Sequence, residues 1–539
     1  MKTKVLSILL AVTLLMALLI PAAAAADSGV ITIETTLTDG MTLKGSKKTF
    51  DVVARLDEKK ISSSVTLNGD PVGQTWSDST KDSYTLVFTR EGENIVEVTA
   101  ASGSQSKAAV YRIQYEKAEE GDLIGYATWA VETLTIGAGF IVEPIQIPIY
   151  EGENAAQTLN RVLTEQGFAF DYTGRLESGF YLSAVANGGH PDFKKGGCQT
   201  EGAKLKVPVD PTDTVPDVLR KVLEDNGSWP PDSAWYEEDG EVYALGEFDY
   251  TFMSGWMYAV NGVFPNVGFS DSYLTDGDVV RVQFTLYGFG ADIGGGYAMG
   301  GGTTDYYYLA QKDRLLSILA ALNAAEDKDD LLSDQAVKTA YEAAMSAAEK
   351  LDASQDSVNE AAANLNETVQ THRDNRQAAA DVDAKIEAIG TVTLDSEKAV
   401  GEARAAYESL TEAQKALVSK LSVLEKAEKD LADSKATEAD KAAAADVDAK
   451  IEAIGTVTLD SEKAVGEARA AYESLTEAQK ALVGKLSVLE KAEKDLADLK
   501  TASTPETGDK IPVGTVVMLL SAVGCLVGIG SRRKMSSFI

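Results

Sequence analysis

Apolar and polar residues alternate with a period of two along residues 28–116. Phe50, Val52, Ala54 and Leu56 make one series, and Tyr84, Leu86 and Phe88 another. Val96, Val98 and Ala100 follow, then Tyr111, Ile113 and Tyr115. A strand points alternate side chains to opposite faces, so each series predicts a half-buried strand. Asn68-Gly69 supplies a hairpin turn among them. Several short strands in roughly 90 residues predict an immunoglobulin-like sandwich over residues 27–117. The chain's two cysteines are Cys198 and Cys525, so the sandwich lacks the disulfide of antibody domains.

The texture changes at residue 118. Residues 154–164 and 215–226 have helical spacing, the second with Pro216 in its first turn. Asn261-Gly262 and Asp276-Gly277 punctuate short apolar strands. Residues 118–290 therefore read as an α+β module. A Gly-rich stretch, 291–302, reads as a linker.

From residue 303 the apolar period becomes helical. Leu315, Leu319 and Leu322 form one stripe, Val337, Tyr341, Ala344 and Leu351 a second, and Val358, Ala362, Leu365 and Val369 a third. Ser333 and Ser354 are the expected N-caps. Three stripes predict an all-α three-helix bundle over 303–377. Residues 378–435 then recur at 443–500 with a period of 65, differing only at Ser419/Gly484 and Ser434/Leu499. In each copy Val382, Ile386 and Ile389 (first-copy numbers) define a first helix, ended by Gly390 in the left-handed cap conformation. Asp395 is the expected cap of a second helix, with Val400, Ala403, Tyr407 and Leu410 inward. A capping box at Thr411–Gln414 opens a third, with Leu417, Leu421, Leu424 and Leu431 inward. No Pro or Gly interrupts 434–445, so the third helix is expected to run into the next copy. The repeats are assigned to 378–442 and 443–500. The chain is thus multidomain: an all-β and an α+β module, then all-α repeats. Helices of about 20 residues are ~30 Å long, so three such modules make a stalk on the order of 100 Å.

Both ends carry apolar segments. Lys2 and Lys4, an apolar run to Ile20, and Ala22–Ala26 make residues 1–26 a signal peptide. Residues 511–530 are apolar and long enough to span a bilayer, and 531–539 form a tail containing Arg532, Arg533 and Lys534. Just before them stand Thr504, Pro505, Glu506, Thr507 and Gly508. This three-part arrangement, residues 501–539, resembles the sortase sorting signal of Gram-positive surface proteins, Leu-Pro-x-Thr-Gly with an apolar span and basic tail. Thr504 stands where that family has Leu. The resemblance implies cleavage after Thr507 by sortase and linkage to peptidoglycan. The expected location is extracellular and anchored to the cell wall.

Charge narrows the function. With 50 Lys+Arg against 83 Asp+Glu, the net charge of −33 argues against nucleic-acid binding. The two histidines, His190 and His372, fall in different modules, which leaves no Ser-His-Asp triad and no His-rich metal cage. No acid/base pair stands out, so no enzyme is expected. Gly197-Cys198-Gln199 has no partner that would make a thioester.

The phrases SGWMYAVNG, FPNVG and LTDGDVV resemble the DUF4430 family, bacterial relatives of the C-terminal domain of transcobalamin and intrinsic factor. That resemblance implies a β-grasp-like fold and a surface facing a corrinoid, with Trp256, Tyr258, Asn261, Phe264 and Asn266 as candidate ligand-binding residues. Phe264 and Asn266, beside a turn and a proline, are the expected surface positions. The module 303–377 resembles FIVAR helical spacers, and IEAIGTVTLDSEKAVGEARAAYESLTEAQKALV resembles helical modules of bacterial surface proteins. The expectation is a non-enzymatic wall-anchored protein presenting a ligand-binding or adhesion head to a host protein or glycan. The alternative is an extracellular protein that binds cobalamin or another corrinoid for uptake.

Overall fold

The structure is a computed structural model and describes residues 30–193, 202–298 and 304–503. The signal peptide, Cys198, residues 299–302 of the Gly-rich stretch, and residues 504–539 of the sorting signal, with its motif, span and tail, lie outside the described residues. A β-rich N-terminal region is followed by a helical C-terminal region. Among the described residues no helix is long and apolar enough to cross a membrane. The chain divides into two compact units, ending and beginning at Gln377 and Ala378.

In the first unit, residues 31–115 form two five-stranded sheets. One joins Ile31–Thr35, Lys47–Leu56, Asp82–Val87 and Gln74–Ser77, with Lys59–Lys60 paired to the second of these. The other runs Thr42–Leu43, Gln105–Tyr115, Gly92–Ser102, Ser63–Leu67 and Asp70–Val72. Both contribute to one core that contains Phe50, Val52, Tyr84, Leu86, Val96, Val98 and Ile113. The period-two series thus points inward as the alternation requires. Asn68 (φ 55°) and Gly69 (φ 90°) turn the chain between Ser63–Leu67 and Asp70–Val72.

The next region centres on a four-stranded sheet ordered Phe140–Tyr150, Leu123–Glu132, Val279–Thr285, Gly255–Val260. Its two central strands are parallel, which requires a long connection. That connection holds helix Ala155–Glu165, helix Asp217–Asp225 and a three-stranded sheet of Ala169–Arg175, Ser178–Ala186 and Ala244–Gly246. Asn154 and Gln157 form a capping box on the first helix. Pro216 sits at the N-cap of the second, one place before its first turn. Trp129, Leu159, Leu163, Phe170, Tyr250 and Phe284 pack together in the core.

Residues 291–298 are not a free linker. Ala291, Asp292 and Ile293 are buried. Asp292 accepts hydrogen bonds from the backbone N–H of Leu286 at 2.8 Å and Tyr287 at 2.9 Å, and from the hydroxyl of Thr285. A carboxylate can anchor a Gly-rich turn that composition alone reads as loose.

Helix Asp313–Asn323 lies against strand Phe140–Tyr150, so the helical residues begin as part of the same unit. Helices Lys328–Ser333, Gln335–Glu349 and Gln355–Ala388 follow, and Leu315, Leu319, Val337, Ala344, Val358 and Leu365 share a core. The N-cap of Gln335–Glu349 is Asp334, which accepts from the N–H of Ala336 and Val337, rather than Ser333. Ser333 instead donates to Asp330 O. Ser354 accepts from Ser357 N, as an N-cap does.

In the second unit Val382, Ile386, Val400, Ala403, Leu424 and Leu431 form the core of the first copy, and Val447, Ile451, Val465, Ala468, Leu489 and Leu496 that of the second. Gly390 (φ 60°) and Gly455 (φ 58°) take the left-handed conformation. Helix Leu421–Glu452 runs unbroken from one copy into the next. Two expectations fail here. Thr393 and Ser396 make the capping box before Glu397–Ser409, not Asp395. The box at Thr411–Gln414 opens a helix of only Glu412–Lys415, and Leu417 beyond it is exposed.

Candidate functional site: an aromatic ridge on the α+β module

The phrases shared with DUF4430 can be followed bond by bond. Ser254 donates from Oγ to Asp249 O at 2.6 Å and closes the loop before strand Gly255–Val260. Trp256 donates from Nε1 to Leu245 O at 3.1 Å, which ties the four-stranded sheet to the three-stranded one. Tyr258 donates to Val267 O at 2.7 Å and stacks on Phe269 with centroids 3.9 Å apart. Asn261 (φ 51°) and Gly262 (φ 72°) form the turn. Asn261 Oδ1 accepts from Val279 N at 2.9 Å, and its Nδ2 donates to Asp278 Oδ1 at 2.8 Å. Asp276 Oδ1 accepts from Tyr126 N, and Gly277 N donates to Tyr126 O, both at 2.8 Å. Every signature position so far serves the sheet or its turns.

The five candidate residues do not gather at one opening. Trp256 and Tyr258 are buried, and Asn261 and Phe264 are half-buried. Asn266, expected at the surface, is 1% exposed. The reason lies in another module. Residues 31–115 cover this turn: Asn266 Nδ2 donates to Asp78 Oδ2, and Lys81 Nζ donates to Phe264 O. Phe264 also lies on Gly295, where a Cβ would stand 3.0 Å from its ring. The two best-formed clefts among the described residues enclose cavity volumes of only about 10 and 0 Å³, and none of the five lines either. Ligand pockets for small molecules are usually ~300–1,000 Å³.

An exposed aromatic group stands elsewhere on the same module. The loop between Ala244–Gly246 and Gly255–Val260 holds Phe248 (φ 67°) and Tyr250 (φ 68°), and Phe289 (φ 50°) follows strand Val279–Thr285. Bulky residues rarely adopt positive φ, and such strain persists only where surrounding bonds fix it. They do so here. Buried Asp249 accepts from Gly246 N and Trp235 N, each at 2.6 Å. Tyr250 donates to Pro208 O at 2.5 Å, and Phe248 N donates to Ser254 O at 3.1 Å. Burial holds the Asp249 carboxyl above the usual carboxylate range. Asp292 bolts the second loop, and burial pushes its pKa up to about 6. Phe289 N donates to Met253 O at 3.1 Å and joins the two loops.

Outside this polar frame lie Phe252 at 66% exposure, Trp235 at 63%, Phe289 at 47% and Phe248 at 38%. Nearby Tyr181, also exposed, donates to Glu247 Oε2 at 2.5 Å. The backbones of these residues are held by the polar frame while their rings are exposed, and exposed aromatic rings offer a large contact area at low cost in side-chain freedom. Sequence reasoning passed over them because they lie in loops between recognised strands. A signal existed in Phe248, Phe252 and Phe289, large aromatics in Gly- and Asp-bearing turns where a core role is unusual.

The module also buries charge. Arg281 donates to both oxygens of Glu132 at 2.8 Å, between the two parallel strands. Lys312 donates to Ala348 O at 2.8 Å and Lys350 O at 2.6 Å, at the end of helix Gln335–Glu349. Burial, with Arg281 adding repulsion, lowers its pKa to about 7. Burial likewise raises Asp313 to about 6. Perturbed groups mark active sites when they face a cleft. Here Lys312 caps a helix end, so its perturbation has a structural origin. Among the described residues no group of His, Cys, Asp and Glu is placed to hold a metal ion.

The family described as "Domain of unknown function (DUF4430)" matches residues 239–285. That stretch includes strands Gly255–Val260 and Val279–Thr285 and the first ridge loop. No curated protein matches. Among solved structures, a chimeric titin Z1Z2 functionalized with a KLER peptide from decorin is 17% identical, covering 17% of this chain and all of that one, with a TM-score of 0.15. Human titin ZIg10 is 12% identical, covering 20% of this chain and 97% of that one, also at 0.15. Likenesses at this level carry no argument about function.

Proposed function

We propose that this chain is a non-enzymatic surface protein. Its immunoglobulin-like and β-grasp-like modules form a head, and FIVAR-like and repeated three-helix modules form the stalk. A signal peptide exports it, and sortase joins Thr507 to peptidoglycan. The head meets a host protein or glycan through Trp235, Phe248, Phe252 and Phe289. The observation that carries this reading is the ridge: four exposed aromatics on loops fixed by buried carboxylates. Exposed apolar groups of that kind mark interaction sites more often than chance exposure does. The order of modules adds support, since the ridge precedes the repeats and the sorting motif follows them. The test is adhesion of cells displaying the intact chain to immobilised host glycoprotein. Phe252→Ser with Trp235→Ser removes binding, whereas unchanged binding rejects the ridge.

A second reading, corrinoid capture, rests on the DUF4430 match at residues 239–285. It is tested by adding cobalamin to the purified chain and recording the visible absorption. A shift at micromolar protein supports it, and an unshifted spectrum rejects it.

A further inference from the structure

We propose that Lys48 and Asn261 become joined by an intramolecular amide bond, with Asp278 moving the proton. Lys48 lies on strand Lys47–Leu56 in the same inward phase as Phe50, Val52 and Ala54, and is buried. A lysine in that phase needs a partner from outside its own core. Its Nζ lies 3.3 and 3.4 Å from the two Asp278 oxygens and donates to Thr275 Oγ1 at 2.7 Å. The side chains of Lys48 and Asp278 are each 6% exposed. Asn261 Nδ2 donates to the same oxygen, Asp278 Oδ1, at 2.8 Å. A buried amine and a buried carboxylate thus meet a half-buried carboxamide, with the carboxylate touching both nitrogens.

The carboxamide is also held for attack. Its Oδ1 accepts from Val279 N at 2.9 Å, and the turn fixes the Asn261 backbone. That N–H would stabilise negative charge developing on Oδ1, as an oxyanion donor does. The Lys48 ammonium gives a proton to Asp278. The neutral amine attacks Cγ of Asn261, and the Nζ–Cγ bond forms. Asp278 returns the proton to Nδ2, the Cγ–Nδ2 bond breaks, and ammonia leaves with the second amine proton as ammonium. Nothing is oxidised or reduced, and no co-reactant is needed. The product links residues 31–115 covalently to the α+β module. Such a cross-link would resist force applied between them, whatever the ridge binds.

The test is the intact mass of the purified chain, with its termini sequenced, followed by peptide mapping. The expected mass is one ammonia below that of the sequence, with a branched peptide joining Lys48 to Asn261. Lys48→Arg and Asp278→Ala restore the full mass. A succinimide at Asn261-Gly262 would also lose ammonia, but it survives in Lys48→Arg and opens with hydroxylamine. That result overturns the proposal, as does wild-type protein of full mass with a free Lys48 amine. The branched peptide decides the matter in wild-type protein even if a variant fails to fold.

Discussion

Trp256 gives its indole N–H to the carbonyl of Leu245, 3.1 Å away on the neighbouring three-stranded sheet. Its ring meets Phe284 edge-on at 5.3 Å. A tryptophan within the DUF4430 stretch is therefore spent on joining two sheets. The exposed rings a few residues before it are not.

That division predicts opposite phenotypes. Trp256→Ala removes a buried ring and a hydrogen bond and should destabilise by about 3–5 kcal/mol. Phe252→Ser, on the exposed ridge, should change stability by no more than about 0.5 kcal/mol. Chemical denaturation of both variants checks the contrast.

Arg281 and Glu132 are paired with both side chains nearly excluded from solvent. Arg281→Met leaves Glu132 buried and unpaired, and should destabilise by about 3–5 kcal/mol. Adding Glu132→Leu removes the orphaned charge and should recover most of that loss. A double-mutant cycle in denaturant measures it.

Acid should stabilise the first unit over a defined window. Burial raises both Asp292 and Asp313 to about 6 in the fold, from the ordinary carboxylate value of 3.8. The folded state therefore holds more protons than the unfolded state between those values, and its stability rises as pH falls through them. For Asp292 two pKa units amount to about 3 kcal/mol. Thermal unfolding should occur at higher temperature near about pH 5 than near about pH 7, and Asp292→Asn should flatten that dependence.

The two repeats provide an internal comparison. Ser419 donates from both N and Oγ to Asp383 Oδ2, at 3.0 and 2.6 Å. In the second copy Gly484 offers only its N–H to Asp448, at 3.0 Å. A Cβ at Gly484 would meet Asp448 at an ordinary 3.4 Å. Gly484→Ser should stabilise the second copy by about 0.5–1 kcal/mol by adding a hydrogen bond and stiffening the unfolded chain. Hydrogen exchange in helix Leu486–Ala502 reads the effect.

Much of the fold was legible because its periods are local. Phe50, Val52 and Ala54 could be assigned inward from alternation alone, and Gly390 from its place at the end of an apolar stripe. The failures involve relations between distant residues. Asn266 looked exposed because only docking by residues 31–115, through Asp78, buries it. Leu417 looked inward because its spacing fits a helix, yet the chain turns there and Ser419 and Lys420 donate their N–H groups to Asp383. Lys48 was legible but unread: a lysine in the inward phase of a strand signals a buried partner.

The anchoring claim has its own outcome. Thr507→Ala should keep the protein detergent-extractable, while wild-type protein should need wall digestion for release. Wild-type protein that detergent alone releases fully would make residues 511–530 a permanent anchor.

The central claim is that the ridge, not the family's signature residues, contacts the ligand. The most direct measurement compares Trp235→Ser/Phe252→Ser with wild type for adhesion of displaying cells to immobilised host glycoprotein, at matched surface abundance and unfolding temperature. The account predicts that adhesion falls to the level of cells lacking the protein while the unfolding temperature stays within a few degrees. Full adhesion by this folded variant would contradict it.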